Sequence, residues 1–172
     1  NKITRPLKDI VKEAIFNVIV HSKKFDLKFS NTDVLDLYSG TGSIGIECIS
    51  RGARSVCFVE KNFNAINILK KNILKLNLKS NVKIFNEKIE TYLEKKKDNS
   101  KFQLIFLDPP FIKKDIKELI DLLISGKKVS KNNLIILHRN KNENEKLVNN
   151  IEIFNEKTYG KSKIIFFRLI FL

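Results

Sequence analysis

Apolar residues recur along this chain with two different spacings. Isoleucine, valine and alanine residues between Ile10 and Ile19 fall on one helix face, and Pro6 suits the first turn because no N–H is needed there. Short runs that are apolar at nearly every position follow, separated by segments in which apolar residues recur at helical spacing. The runs predict strands at 34–38, 55–59, 82–85, 102–107, 134–137, 151–154 and 164–171, and the helical spacings predict helices at 44–49, 62–76, 89–94 and 116–123.

Short apolar strands that alternate with helices predict a parallel sheet that is buried on both faces. No helix separates the last two strands, so they predict an antiparallel hairpin that turns near 159–161. Residues 139–150 are rich in Asn, Lys and Glu and predict a solvated loop or a poorly formed helix. The predicted fold class is therefore α/β, with a seven-stranded, mostly parallel sheet, helices on both faces and an antiparallel edge hairpin.

Length and composition predict one globular domain over residues 1–172. The chain has 42% apolar and 30% charged residues, a composition typical of a folded protein rather than a disordered one. No apolar run approaches the roughly 18–20 residues of a membrane span, and no segment resembles a signal peptide. Because the chain begins at Asn1 and contains no Met, we expect that a natural N-terminal segment is missing.

The charge balance favours a polyanionic partner. Lys and Arg number 33 and Asp and Glu 19, which gives a net charge of +14 and favours association with nucleic acid. An excess of Lys beside many Asn and Ile residues can also reflect the nucleotide composition of the source. Cys48 and Cys57 lie among apolar residues and are predicted to be buried, and His21 and His138 are far apart in sequence, so no metal site is expected.

The first motif follows the first predicted strand and runs from Asp36 to Gly45. Gly40 and Gly42 allow a tight turn and a close approach of backbone to ligand, at the start of a helix whose N–H groups favour an anion. The glycines spell G-x-G-x-x-G, which by itself is weak evidence for a dinucleotide. Asp36 would repel a pyrophosphate but attract an ammonium or sulfonium, and Glu60 could accept hydrogen bonds from ribose hydroxyls. Together they favour S-adenosylmethionine over NAD.

The second motif, Asp108-Pro109-Pro110-Phe111, follows the fourth predicted strand. The two prolines stiffen the loop and leave only carbonyl acceptors on it. A carboxylate and carbonyls beside an aromatic ring suit a planar base that carries an exocyclic amino group, with Asp108 and the Pro109 carbonyl accepting from its N–H groups and Phe111 stacking on the base. Both motifs follow strands, so we expect them at the carboxyl edge of the sheet, where ligands bind in such folds.

Several stretches match a known family in order and spacing. They are Arg5-Pro6, Val11-Lys12-Glu13, Phe16-Asn17, Leu35 to Gly42 and Asp108 to Phe111, with a weaker match at Tyr159-Gly160. On these residues the chain resembles the RsmD family of 16S ribosomal RNA guanine-N2 methyltransferases, within the class I S-adenosylmethionine-dependent methyltransferases. The resemblance implies a Rossmann-like fold, S-adenosylmethionine as cofactor, and methyl transfer to the exocyclic N2 amine of a guanine in 16S rRNA.

The resemblance also assigns roles to individual residues. The implied cofactor-binding residues are Asp36, Tyr38, Ser39, Gly40, Thr41, Gly42, Glu60, Lys61, Glu87 and Lys88; the implied catalytic residues are Asp108, Pro109, Pro110 and Phe111; and the implied RNA contacts are Arg5 and Tyr159. Glu87-Lys88 departs from the family pattern of a small polar or acidic residue followed by Ala, and Ile10 stands where the family often has Arg. The resemblance implies a cytoplasmic monomer that needs no metal and no membrane and acts on 16S rRNA or the small ribosomal subunit particle.

Two other functions remain compatible with these motifs. An adenine-N6 methyltransferase acting on RNA or DNA uses the same type of loop, although DNA enzymes generally carry an added recognition region for which 172 residues leave no room. A nucleotide- or NAD-binding module without methyl transfer is the other alternative. Asp36 and the Asp-Pro-Pro-Phe loop both speak against it.

Overall fold

The computed structural model describes residues 9–22, 24–25, 27–78, 81–95, 99–110, 116–143 and 150–171. The helices are α1 (Asp9–His21), α2 (Ser43–Ser50), α3 (Phe63–Lys75), α4 (Ile89–Leu93) and α5 (Ile116–Ser125), with a short 3-10 turn at Phe29–Asn31. The strands are β1 (Asp33–Leu37), β2 (Ser55–Val59), β3 (Val82–Phe85), β4 (Phe102–Leu107), β5 (Val129–Asn140), β6 (Ile151–Tyr159) and β7 (Ser162–Leu169).

The strands form one seven-stranded sheet in the order β3-β2-β1-β4-β5-β7-β6. The pairings among β1 to β5 are all parallel, whereas β7 is antiparallel to both β5 and β6. The predicted mostly parallel sheet with an antiparallel edge hairpin is therefore confirmed. The chain runs outward from β1 through β3 and returns to β4 on the other side of β1, so a ligand crevice is expected between the ends of β1 and β4.

Each face of the sheet carries its own core. One core packs α1, α2 and α3 against alternate strand residues such as Val34 and Phe106, and the other packs α4 and α5 against their sequence neighbours Leu35 and Leu107. Because side chains alternate between the faces of a strand, odd and even positions belong to different cores in β1, in β2 and in the Leu104–Leu107 part of β4. This alternation decides which polar residues at the strand ends can meet.

Two helix ends carry residues whose chemistry favours those positions. The side chain of Asn62 accepts hydrogen bonds from the N–H groups of Asn64 and Ala65 and so caps α3, as an N-cap residue does. Gly52 follows α2 with φ +88°, a conformation that favours glycine. Cys48 and Cys57 are both buried and free, as predicted. Among the described residues, no helix is long and apolar enough to cross a membrane.

Three strand predictions were too short or misplaced. β5 begins at Val129 and reaches Asn140, so the start of the predicted loop at 139–150 is strand; residues 144–149 lie outside the described part of the chain. β6 continues to Tyr159 rather than ending at 154, and β7 spans Ser162–Leu169 rather than 164–171. The second half of β6 is polar and mostly exposed, and it stays in the sheet because its backbone pairs with β7. Apolar runs do not detect such an edge strand.

Candidate active site

The strand register gathers polar side chains at the carboxyl edge of the sheet. Leu107 on β4 pairs with Leu137 on β5, so the residues that follow them, Asp108 and His138, lie side by side. Asp36 lies on the adjacent strand β1 and faces the same side of the sheet as both of them, the side covered by α1. The expectation that the loops after the first and fourth strands meet at one edge is confirmed.

A cleft opens between these strand ends and α1. It is lined by Ile15, Asp36, Tyr38, Ser39, Gly40, Thr41, Ser43, Ile44, Phe106, Leu107, Asp108, Ile136 and His138. Six of these were predicted site residues, namely Asp36, Tyr38, Ser39, Gly40, Thr41 and Asp108. Ile15, Phe106 and Ile136 give the lining an apolar part, and Asp36 and Asp108 add carboxylates to it. Such a mixed lining suits an organic ligand that carries a cationic group.

The loop after β1 has an unusual backbone. Tyr38, Gly40 and Gly42 all have positive φ, at 60°, 54° and 85°, and the N–H of Gly42 donates to the Ser39 carbonyl over 2.8 Å to close the turn. A Cβ on Gly42 would lie 2.2 Å from Cδ1 of Leu69 on α3. Gly42 therefore packs against α3, whereas Gly40 lines the cleft. The positive φ at a tyrosine is strain of the kind that collects at functional sites.

The Asp36 carboxylate is buried, at 3% exposure, beneath the glycine loop. Its Oδ2 accepts the N–H of Gly45, in the first turn of α2, over 3.0 Å. Burial is the main cause that raises the pKa of Asp36 to about 7, with repulsion from Asp108 and Glu60 adding to it and the Gly45 hydrogen bond opposing it. A cation bound in the cleft would favour the ionised form of this carboxyl.

Glu60 connects two loops. Its Oε2 accepts the N–H of Gly40 over 3.0 Å, and its Oε1 accepts the N–H of Asn62 over 2.7 Å. The side chain is buried, at 6% exposure, and it lies behind Gly40 rather than in the cleft lining. Each carboxylate oxygen retains a second lone pair, so the residue can accept further hydrogen bonds at the loop surface.

Asp108 is paired with a histidine. Nδ1 of His138 lies 2.7 Å from Oδ1 of Asp108, and the side chains are 13% and 39% exposed, respectively. The sequence interpretation gave His138 no role, because the pairing depends on the register of strands that lie 30 residues apart in the chain. In the sequence, His138 directly follows the four apolar residues of the predicted strand at 134–137. This position could have indicated that His138 lies near the other residues that follow parallel strands.

The next residue of β5 holds the same loop from the other face of the sheet. Arg139 is 1% exposed, donates from one guanidinium nitrogen to the Pro110 carbonyl over 3.3 Å, and forms an ion pair with Glu143. Pro109 is buried and Pro110 is exposed. The Asp-Pro-Pro segment is therefore held by two consecutive strand residues whose side chains point in opposite directions.

The remaining predicted residues lie around the cleft. Lys61 and Lys88 are exposed, and the Glu87 carboxylate is 2.6 Å from Nζ of Lys95; none of these predicted cofactor residues lines the cleft. Tyr159 ends β6 at the carboxyl edge of the sheet and packs on the α1 side. The predicted residues Arg5 and Phe111 lie outside the described residues. Among the residues that the structure describes, no group of His, Cys, Asp and Glu could hold a metal ion.

Comparison with known proteins identifies the family. Residues 1–168 match the family model described as "Conserved hypothetical protein 95". The chain belongs to this family, the RsmD family.

Individual members of the RsmD family align along most of the chain. The "Ribosomal RNA small subunit methyltransferase D" of Buchnera aphidicola (subsp. Baizongia pistaciae) is 36% identical over 98% of this chain and 81% of its own length. The protein of the same name from Haemophilus influenzae is 31% identical, over 96% of this chain and 81% of its own length. The crystal structure of a "putative methylase" from Haemophilus influenzae has a TM-score of 0.79 at 29% identity and covers 96% of this chain and 99% of that one. The sheet therefore has the Rossmann-like fold of class I methyltransferases.

Proposed function

We propose that this protein transfers a methyl group from S-adenosylmethionine to the exocyclic N2 amine of a guanine in 16S ribosomal RNA. The observation that carries the proposal is the meeting of Asp36, beneath the glycine loop, with Asp108, at the start of the Pro-Pro loop, in one cleft. Curated relatives of the chain are named as methyltransferases of small-subunit ribosomal RNA, which supports the substrate class.

The residues of the cleft fit the cofactor. Ser39 has a buried Oγ with no hydrogen-bond partner among the described residues, which suits a polar ligand group beside the loop. The buried Asp36 suits the cationic amino acid end, and Glu60 suits the ribose hydroxyls. A dinucleotide would instead bring its pyrophosphate toward these two carboxylates. When bound, S-adenosylmethionine supplies a methyl group on a sulfonium that needs no further activation.

We place the adenosine end toward the ends of β2 and β3, where Lys61, Glu87 and Lys88 lie. The side-chain amide of Asn86 donates to the carbonyls of Glu60 and Lys61 over 3.0 and 3.1 Å, so these two loops are held together. A backbone N–H near Lys88 would replace the usual adenine contact of the family. Gly40, Thr41 and Tyr38 would line the amino acid end.

The target amine would bind at the Asp-Pro-Pro loop. The Pro110 carbonyl already accepts from the buried Arg139, so the Asp108 carboxylate and the Pro109 carbonyl are the acceptors that we assign to the amine. An aromatic amine is a poor nucleophile because its lone pair is delocalised into the ring. Hydrogen bonds from both N–H groups would let the nitrogen turn its lone pair toward the methyl donor.

Asp108 would contribute most as charge develops. Its hydrogen bond to the amine strengthens while the nitrogen becomes cationic, so the carboxylate stabilises the transition state more than the ground state. The methylated nitrogen then loses one proton, for which the Asp108 carboxylate is the adjacent acceptor. Phe111 would stack on the base, and Arg5 and Tyr159 would contact RNA; the position of Tyr159 at the same sheet edge supports its part.

The decisive experiment maps the methylated nucleoside. We would incubate the protein with S-adenosylmethionine carrying a labelled methyl group and, separately, unmethylated 16S RNA, small-subunit particles and DNA, and then digest the products to nucleosides. N2-methylguanosine at one position of 16S RNA supports the proposal. N6-methyladenosine would instead assign an adenine methyltransferase, and binding of NAD in competition with S-adenosylhomocysteine without any methyl transfer would assign a binding module.

A further inference from the structure

We propose that His138 is a positioning residue that fixes the orientation of the Asp108 carboxylate toward the substrate amine. This inference rests on the proposed function, because it assigns the way in which that site holds its acceptor. It concerns a residue to which neither motif nor family resemblance gave a role.

The polarity of the hydrogen bond between Asp108 and His138 follows from the chemistry of the two groups. A carboxylate oxygen can only accept, so the hydrogen between Oδ1 of Asp108 and Nδ1 of His138, 2.7 Å apart, belongs to the imidazole. In neutral His138 this selects the tautomer that is protonated on Nδ1. Oδ2 of Asp108 is then the oxygen directed away from the imidazole.

The two partners differ in rigidity. His138 lies within β5, which is paired with β4 on one side and with β7 on the other. Asp108 begins a loop and is the more exposed partner, at 39% against 13%. The strand residue therefore holds the loop residue, and the hydrogen bond restricts rotation of the carboxylate.

Other charged groups strengthen the case for such a restraint. Burial is the main cause of the raised pKa of Asp36, and repulsion from Asp108 and Glu60 adds to it. An unrestrained Asp108 carboxylate would turn away from Asp36 toward solvent. The imidazole donor opposes that rotation, and Arg139 holds the Pro110 carbonyl of the same loop from the opposite face.

A double-mutant cycle on methyl transfer tests the proposal. We expect His138→Leu to lower kcat about 10- to 100-fold, as loss of a hydrogen bond that orients a functional group does, with KM for the cofactor within about twofold. In an Asp108→Ala background the same change should alter kcat by less than about threefold, because the group that His138 acts through is gone. His138→Asn places an amide N–H close to the position of Nδ1 and should recover most of the lost kcat.

A second readout needs no activity. Long-range ¹H–¹⁵N spectra of the cofactor-free protein should show His138 protonated on Nδ1, and Asp108→Ala should abolish this preference. Thermal melts of each variant verify that it is folded. A His138→Leu kcat within about twofold of wild type, an equal loss in both backgrounds, or protonation on Nε2 alone would overturn the proposal. If the wild-type protein methylates none of the substrates, the proposed function fails. If the wild-type protein is active but the His138 variants behave in one of the contrary ways, only the role of His138 fails, so the two failures are distinguishable.

Discussion

Asp36 performs two tasks that conflict electrostatically. Its carboxylate caps the first turn of α2 through Gly45, a role that a charged or a neutral acceptor can fill. It also lies in a cleft near Asp108 and Glu60, where burial and repulsion disfavour the charge. Ionisation of Asp36 is therefore unfavourable in the ligand-free protein, and a bound cationic ligand would reduce this free-energy cost.

We expect the pH dependence of stability to reveal this cost. The pKa of Asp36 is about 7 in the folded protein against an ordinary value of 3.8, so the folded state binds the proton more tightly and its stability falls as pH rises between these values. Relative to Asp36→Asn, the wild-type free energy of unfolding should fall by about 2–3 kcal/mol between pH 5 and pH 8. Urea denaturation at both pH values measures it. A constant difference between the two proteins would contradict the raised pKa.

Substitution of Asp108 should affect turnover rather than cofactor binding. We expect Asp108→Ala to lower kcat on the order of 10²–10³-fold, as loss of one preorganised electrostatic partner does, with affinity for S-adenosylhomocysteine within about a few-fold of wild type. The assay uses saturating RNA and cofactor. Asp121→Ala, on the exposed side of α5, is the matched control and should retain wild-type turnover. Near wild-type turnover of Asp108→Ala would remove this loop from the reaction.

At the scale of elements, the site consists of loops that follow neighbouring strands and are joined to one another by side-chain hydrogen bonds. Glu60 links the loop after β2 to the glycine loop after β1, and Asn86 links the loop after β3 to the loop after β2. β5 holds the loop after β4 through His138 and Arg139. Because Glu60, His138 and Arg139 are buried or partly buried, we expect loss of one of them to displace a whole loop rather than a single contact.

Glu60→Ala should therefore weaken cofactor binding. We expect the affinity for S-adenosylhomocysteine to fall by about 1.5–3 kcal/mol, the loss typical of charged hydrogen bonds. Two backbone N–H groups, those of Gly40 and Asn62, also lose their acceptor, which loosens the loop. Calorimetric titration measures the affinity, with exposed Glu152→Ala on β6 as control. Unchanged affinity would remove Glu60 from the cofactor site.

The packing of α2 against β2 should be sensitive to one added methyl group. A Cβ on Gly45 would lie 2.2 Å from Cε1 of Phe58 and 2.9 Å from Cγ1 of Val56. We expect Gly45→Ala to destabilise the protein by about 1–3 kcal/mol through overpacking, although Ala is the better helix former. Exposed Ser50→Ala in the same helix is the control and should change stability by less than about 0.5 kcal/mol. Equal unfolding free energies for both variants would show that the interface between α2 and β2 accommodates the added methyl group.

For the molecule as a whole, the net charge of +14 predicts strong salt dependence of RNA binding. Lysines that neutralise phosphates release condensed counterions, so affinity falls steeply as salt rises. Affinity for S-adenosylhomocysteine should change much less, because its contacts are local and partly buried. Binding of a 16S RNA fragment measured between low and moderate salt tests the prediction. If the affinity for RNA did not change with salt concentration, the excess of Lys would reflect the nucleotide composition of the source rather than RNA binding.

Much of the fold and of the site follows from local sequence. Apolar runs and helical spacings placed the seven strands and the main helices in the right order, because burial of one face imposes its period on the residues. Asn62 and Gly52 lie at helix ends, where their own side-chain and backbone chemistry favours them. The glycine loop and the Asp108 loop were recognisable because each needs particular residues at consecutive positions.

Only the tertiary structure decided how distant residues combine. The register of β4 against β5 pairs Asp108 with His138, and a register shifted by one residue would turn that histidine to the opposite face. Burial beneath the glycine loop, rather than residue type, raises the pKa of Asp36. The polar second half of β6 is strand because β7 supplies its backbone partners. These features depend on contacts between residues far apart in the chain, so no local pattern could encode them.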